Sequence, residues 1–357
     1  MAPYRSGVRL TEVLRVGVLD QSPIPEGATG ADALRNTVDL ARLADELGYE
    51  RYWVAEHHGT PMLASAAPEI LIAEIASATE HLRVGSGGVM LPHYSPLKVA
   101  EVFSMLSGLH GDRIDLGIGR APGTDQATMY ALQRDRRQLS PDDFPEQLVE
   151  LLAYLENDFP PGHQLARLAT LPGAPGKPDV WLLGSSPQSA IWAAELGLPY
   201  SLADFINPAG AENARLYRER FQPSRRRAQP EISVAVAAIC ADTDEEATRL
   251  AASVRMAITL LRSGRLVAVP TVETALAFLE QGAVVEAGSG RRVVVGSPSV
   301  VRAGLEEVAA EYGADEVLVV TITHDHDARR HSYELIGAAF GLGAHSRRRG
   351  AELDTFA

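Results

Sequence analysis

Eight times along this chain a short apolar run gives way to a stretch whose apolar residues recur every three or four positions. The runs lie at 14–20, 51–57, 82–91, 113–119, 180–184, 200–203, 232–240 and 316–323. Helical spacing follows each of them, at 33–48, 68–79, 97–109, 144–155, 187–197, 211–220, 245–262 and 329–340, with one more helix at 299–312. A switch from strand-like to helical period marks a strand and its crossover helix, and strands rich in Val, Leu, Ile and Ala suit a sheet covered on both faces. Eight such units predict a closed parallel (β/α)8 TIM barrel, with an open doubly wound sheet as the alternative. Such barrels run to about 250 residues, so a chain of 357 carries roughly a hundred more. Much of the excess falls at 263–295, between the seventh and eighth strands. That segment mixes Gly, Pro, Val and charge without a clear period and is expected to be an inserted, mobile lid near the barrel mouth. The rest reads as a single domain over 1–357, with a tail from about 342.

Hydrophobic residues make up 46% and charged residues 22%, which fits a soluble globular protein. The formal net charge of -13 argues against DNA, RNA or an anionic membrane as partner. The basic run Arg347–Arg349 is too short to alter that and reads as part of a solvated tail. A single cysteine, Cys240, excludes an internal disulfide and fits a reducing cytosol. The opening Met-Ala-Pro-Tyr-Arg-Ser has no long apolar region, which predicts no signal peptide and a cytoplasmic protein. No run is long and apolar enough to span a bilayer.

In barrels of this class the site lies at the carboxyl ends of the strands. Those ends carry Asp20, Glu56-His57-His58, Gly87-Gly88, Gly119-Arg120 and Gly184-Ser185-Ser186. Glycine is disfavoured inside a strand because it packs no side chain. The pair Gly87-Gly88 reads as bare backbone under a planar cofactor, or as a strand kinked for packing. Ser186 stands at an N-cap position and Pro187 at the first helical position, so the free N–H groups there favour an anion. Ser185, Ser186 and Ser189 offer hydroxyls, and Arg120 on the neighbouring strand end offers a forked guanidinium. Together they read as a phosphate site, although serine caps and strand-end arginines are commonly structural. Successive strand residues point opposite ways, so one of His57 and His58 enters the mouth. His57 is the choice, as a proton relay; a strand-end histidine is also commonly a satisfied polar group.

Other chemistries fit poorly. His57-His58 lacks zinc-protease spacing, and His324-Asp-His326 reads as a polar loop opening a helix rather than a metal site. Gly117-Ile-Gly-Arg-Ala-Pro-Gly123 fails the dinucleotide spacing. No phosphate-binding GxxxxGK[ST] loop and no serine or cysteine nucleophile motif stands out.

Taken in order, Trp53-Val-Ala-Glu-His-His58, Val84-Gly-Ser-Gly-Gly-Val-Met-Leu-Pro92, Gly111-Asp-Arg-Ile-Asp-Leu-Gly-Ile-Gly-Arg120, Val180-Trp-Leu-Leu-Gly-Ser-Ser186 and Val295-Gly-Ser-Pro298 resemble the bacterial luciferase-like flavin monooxygenases. The resemblance covers roughly 14–340. It is closest to short single-subunit members, some of which serve antibiotic biosynthesis. It implies a (β/α)8 barrel that binds FMN, as FMNH2, at its mouth. Gly87-Gly88 then matches a non-proline cis peptide beneath the flavin ring, where luciferase has alanines. Arg120, Ser186 and Ser189 match phosphate-binding positions, and Ser185 replaces a glutamate. His57 matches the catalytic histidine, and Gly119 stands in place of a reactive cysteine. The implied activity is that of a two-component monooxygenase: a separate flavin reductase supplies FMNH2, and O2 oxygenates a small-molecule substrate. A homodimer is implied too. The rival expectations are F420-dependent hydride transfer on the same barrel and a non-catalytic flavin-binding protein.

Overall fold

A computed structural model of the chain describes residues 14–120, 126–132, 143–168, 171–281 and 291–343. In order the elements are β1 (Arg15–Asp20), α1 (Gly30–Leu47), β2 (Arg51–Val54), α2 (Pro68–Ala78), β3 (Arg83–Met90), α3 (Pro96–His110), β4 (Ile114–Gly119), α4 (Gln126–Leu132) and α5 (Phe144–Glu156). There follow β5 (Asp179–Gly184), α6 (Pro187–Glu195), β6 (Tyr200–Ala203), α7 (Ala211–Arg220), β7 (Ile232–Cys240), α8 (Asp244–Arg262) and α9 (Val272–Glu280). The last are β8 (Val293–Gly296), α10 (Pro298–Tyr312), β9 (Glu316–Val320) and α11 (His326–Phe340). Helix starts follow local chemistry. Thr29 and Asp32 form a reciprocal capping box on α1, and Pro68, Pro96, Pro187 and Pro298 open their helices. Among the described residues no helix is long and apolar enough to cross a membrane.

Strands β1 to β7 pair in parallel, each with the next; β7 pairs with β9, and β9 with β1. The sheet closes, so the chain folds as the (β/α)8 barrel and not as the open sheet. One large apolar cluster fills the space between barrel and helices, and a second fills the barrel interior. Alternation along β2 shows the division: Tyr52 and Val54 face the helices, whereas Trp53 and Ala55 face inward.

The region after β7 differs from the sequence reading. β7 pairs with β9 over Ser233–Ala237, and from Ala237 to Cys240 with the added strand β8. The helix that contacts both α7 and α11 in the outer ring is α10. α8 packs chiefly on α9 and β8, and its Leu250, Ala251 and Val254 join the interior cluster. The segment expected to be an irregular insertion therefore holds a helix and a strand, and α8 stands with them. The periodicity of α8 is amphipathic in either place, so spacing did not separate an outer helix from one at the mouth. Residues 282–290 of that segment, and the tail beyond 343, lie outside the described residues.

A charge network closes the amino end of the barrel. Arg51, the first residue of β2 and 2% exposed, donates from Nε to both oxygens of Glu316, at 2.8 and 2.9 Å. Its Nη1 donates to Asp115 Oδ2 on β4 at 2.7 Å. The indole N–H of Trp53 reaches the same oxygen at 2.9 Å, and Arg83 bonds the other one. Trp53 and Trp181 meet edge to face, ring centroids 5.4 Å apart, and the Arg51 guanidinium lies 4.7 Å from the Trp181 centroid. These bulky groups fit because their neighbours are glycines. A Cβ on Gly17 would stand 2.8 Å from Arg51 Cγ, and one on Gly85 2.5 Å from Asp115 Cβ. Burial alone would weaken the charge on Arg51. Glu316 and Asp115 outweigh it and push the pKa up, so the guanidinium is ionised throughout the working range.

Removing one partner of a buried ion pair leaves uncompensated charge in the interior. Arg51→Met is therefore expected to lower the unfolding free energy by about 3–5 kcal/mol, read from urea denaturation. A loss below about 1 kcal/mol, the value of an exposed pair, would contradict this account of the barrel base.

Candidate active site

The carboxyl ends of β2, β3, β4 and β5 lie side by side and bring the singled-out residues together. Gly87 and Gly88 are joined by a cis peptide bond. β3 pairs regularly with β4 through Ser86, then shifts so that Val89 meets Ile118. Its ladder with β2 ends at Val54–Ser86. A Cβ on Gly88 would stand 2.6 Å from the Gly117 carbonyl oxygen, and one on Gly87 would meet Leu19 and sit 3.1 Å from Trp53 Cβ. Packing and a bare backbone thus coexist at this pair.

His57 follows Arg51, Trp53 and Ala55 in alternation, on the inward side. Its backbone N–H donates to Ser65 O at 2.8 Å, while its ring Nδ1 is buried without a hydrogen-bond partner among the described residues. Burial, with a smaller contribution from His58, lowers its pKa from 6.5 to about 4, so the ring is neutral at pH 7. His58 faces the other way, its Nε2 2.8 Å from Glu56 Oε1. Glu56 is itself buried, and accepts from Met90 N–H at 2.9 Å and from the Tyr94 hydroxyl at 2.9 Å.

On the β4–β5 side, Arg120 stands one residue beyond β4, and the pairing Ile118–Leu182 sets it beside the turn after β5. Its guanidinium lies 5.8 Å from the ring centroid of Trp192 on α6. Ser186 caps α6: its Oγ accepts from Ser189 N–H at 3.3 Å, and it is exposed. Ser185 is half-buried, and its carbonyl accepts from Asn213 Nδ2 at 3.0 Å. Ser189 is different. It is buried, its Oγ donates to Ser186 O at 2.8 Å, and it lies 2.9 Å from the Tyr200 hydroxyl. The hydroxyls of Ser186 and Ser189 both take part in the cap, and that of Ser189 is also buried.

Other strand-end and loop groups are committed elsewhere. Asp20 accepts from Arg329 at 2.6 Å and from Ser22 N–H at 2.7 Å, and also bonds Tyr52. Burial would raise its pKa, but the Arg329 charge and these hydrogen bonds hold it lowered. His324 bonds Glu26 O at 3.1 Å and His326 bonds Asp39 at 2.8 Å, so the two histidines diverge. Cys240 is buried, and burial pushes its thiol up to about 12. Trp192 and Tyr94 were not singled out in the sequence. Trp192 carries a signal, since Ser186, Ser189 and Trp192 recur at three-residue spacing along one helix face. Tyr94 carries none, because its partner is fixed only by the turn after β3.

The lowered pKa of His57 has a defined sign. Between about 4 and 6.5 the unfolded chain binds the extra proton, so the fold loses stability as pH falls through that window, while above 6.5 the contribution is complete. A His57 ring-proton NMR titration is expected to give a midpoint near 4, and His57→Gln to flatten the acid-side stability loss. A midpoint near 6.5 would show a hydrated ring.

Comparison with known proteins adds a family. A model described as luciferase-like monooxygenase matches residues 14–316. A luciferase-like monooxygenase of Escherichia coli K12 is 42% identical over 331 residues, 91% of this chain and 96% of the relative. The N-acetyl-S-alkylcysteine monooxygenase of Bacillus subtilis 168 is 39% identical, over 92% of this chain and 98% of the relative. The crystal structure of apo-MsnO8 superposes with a TM-score of 0.83 at 43% identity, over 92% of this chain and 98% of that one. Two distant structures share the fold alone. They are the oxygenating constituent of 3,6-diketocamphane monooxygenase of Pseudomonas putida with FMN (TM-score 0.68, 20% identity, 91% and 97% of the two chains) and an F420-dependent secondary alcohol dehydrogenase (0.64, 14%, 91% and 99%). On the family match across its barrel and on these full-length relatives, the chain is an oxidoreductase that belongs to the luciferase-like monooxygenase family.

Proposed function

We propose that this oxidoreductase is an FMN-dependent monooxygenase of the two-component kind, oxygenating a small organic substrate with O2 and with FMNH2 from a separate flavin reductase. One observation carries the reading. The side-chain-free Gly87-Gly88 of β3 lies between an imidazole just past β2, neutral and with Nδ1 unpaired among the described residues, and an arginine beside a helix start on the β4–β5 side. That spread of chemistry fits a flat ring with an anionic tail. Gly87-Gly88 would lie beneath the ring. Arg120, with the free N–H groups of α6 and the hydroxyls of Ser185 and Ser186, would hold the phosphate. Ser189 would brace that cap from below rather than touch the ligand. Reduced FMN, when bound, supplies the activation of O2. His57 would exchange a proton at Nδ1, because the ring is neutral at pH 7 and no described residue bonds that atom. The apolar face of α8 shields the barrel interior from water.

The Bacillus subtilis relative directs the first substrate trials to N-acetyl-S-alkylcysteines. With a flavin reductase, NADH and isotopically heavy O2, one labelled oxygen atom is expected in the product. Hydride transfer with F420 but no flavin-dependent oxygen uptake would instead establish the deazaflavin reading. Binding without turnover of either kind would establish a flavin carrier. Arg120→Ala is expected to weaken FMN binding by about 10- to 100-fold with the fold intact, the worth of a charge-assisted contact. Unchanged affinity in a fluorescence titration would remove Arg120 from the phosphate site.

The same reading includes a homodimer. Ile70 on α2 and Met105 and Leu109 on α3 are 69%, 59% and 72% exposed on neighbouring helices, with Met105 and Leu109 four residues apart on one face. Sedimentation is expected to give a dimer, and Leu109→Lys to give a monomer. A monomeric wild type would overturn the assembly.

A further inference from the structure

Beyond Val54–Ser86, β2 and β3 share no ladder pairing. The two strand ends that carry His57 and Gly87-Gly88 therefore diverge just where their separation matters. The side chain of Glu56 spans the gap with hydrogen bonds. Glu56, 1% exposed, leaves β2 on the side opposite His57 and accepts Met90 N–H with Oε2 at 2.9 Å. Met90 is the last residue of β3, two beyond Gly88. The other oxygen accepts the Tyr94 hydroxyl at 2.9 Å and lies 2.8 Å from His58 Nε2. Tyr94 follows the 3-10 turn Leu91–His93, which leads from β3 into α3. One carboxylate thus replaces the missing ladder bond and clamps the exit of β3 at two points. A buried carboxyl group that accepts from two donors and adjoins the His58 ring is held firmly, since losing either donor leaves an unpaired polar atom.

We infer that Glu56 is a positioning residue that fixes the Gly87-Gly88 backbone at its distance from His57, and so sets the shape of the flavin site. The inference rests on the flavin reading given above. Glu56 need not touch the ligand, and its charge is not the working property. Glu56→Gln keeps the reach: its amide oxygen can accept Met90 N–H, and its NH2 can donate to Tyr94 Oη. Glu56→Ala removes every contact. Glu56→Asp keeps the charge but draws it back by one methylene.

The test measures FMN affinity by fluorescence quenching in wild type, Glu56→Ala, Glu56→Gln and Glu56→Asp, at a temperature where circular dichroism shows each to be folded. Misplacing a binding surface by about 1 Å is enough for a large loss, so Ala and Asp are expected to bind at least about tenfold more weakly. Gln is expected within about threefold of wild type. Should Ala fail to fold, Asp decides in its place. Amide exchange at Met90, measured without flavin, is expected to quicken in Ala and Asp and to stay slow in Gln. A residue that only stabilises the fold would lower the melting temperature and leave the affinity of the folded protein unchanged; that result overturns the inference while the flavin reading stands. A wild type that binds no FMN overturns the flavin reading and the inference with it, even if Met90 exchange responds.

Discussion

The guanidinium of Arg51 is the group on which the barrel depends. It sits at the amino end of β2 and reaches carboxylates on β4 and β9, on either side of its own strand. Two carboxylates that close would repel each other without it, and their burial would be costly. The cation makes their convergence favourable and so helps fix how far apart the strands stand. Above it Trp53 and Trp181 fill the bore, and the inward-facing glycines Gly17 and Gly85 leave room for the side chains of Arg51 and Asp115. The barrel is therefore plugged at its base with paired charge and aromatic surface, which leaves its carboxyl ends as the side for a site.

At that end the same strands loosen. β3 changes register against β4 at the glycine pair and leaves the β2 ladder. Side chains take over from backbone pairing: Ser86 Oγ donates to Gly117 O at 2.9 Å, and Glu56 holds Met90. α6 begins with a cap that its own serines satisfy from one side, leaving the exposed side of its first turn to solvent or a ligand. On its β2 side the order of β3 at the mouth thus comes from a few specific bonds, while on its β4 side the ladder resumes at Val89 and Met90.

The barrel was legible because eight changes of period, from strand to helix, recur along the chain. The caps were legible too, since Ser186-Pro187 and Thr29 have local partners. Alternation alone did not choose between His57 and His58; continued past β2, the parity of Trp53 and Ala55 puts His57 on the inward side. The base network was invisible for a physical reason. Arg51 bonds residues 64 and 265 positions away, and nothing in the chain marks a strand-initial arginine as the partner of those acids. Ser189 shows the limit of spacing. A serine three residues after a cap serves a ligand or the cap equally well by spacing, and only its burial against Tyr200 separates the two. α8 was misplaced because an amphipathic helix covers a barrel mouth as well as a barrel flank.

The contrast between the two ends bears on where chemistry can occur. A buried polar atom left without a partner costs about 1–3 kcal/mol, so it survives only where something offsets that cost. At the base, the oxygens of Asp115 and Glu316 and the indole of Trp53 all find partners. At the mouth, His57 Nδ1 and the hydroxyl of Ser65, whose carbonyl holds the His57 backbone, find none among the described residues. Stability alone would select a bonded or apolar group at position 57. An imidazole kept neutral by burial, with Nδ1 unpaired among the described residues, is the group that the proposed flavin site would use. The polar groups of the base network are satisfied by the fold itself, whereas at the mouth two buried polar atoms have no partner among the described residues.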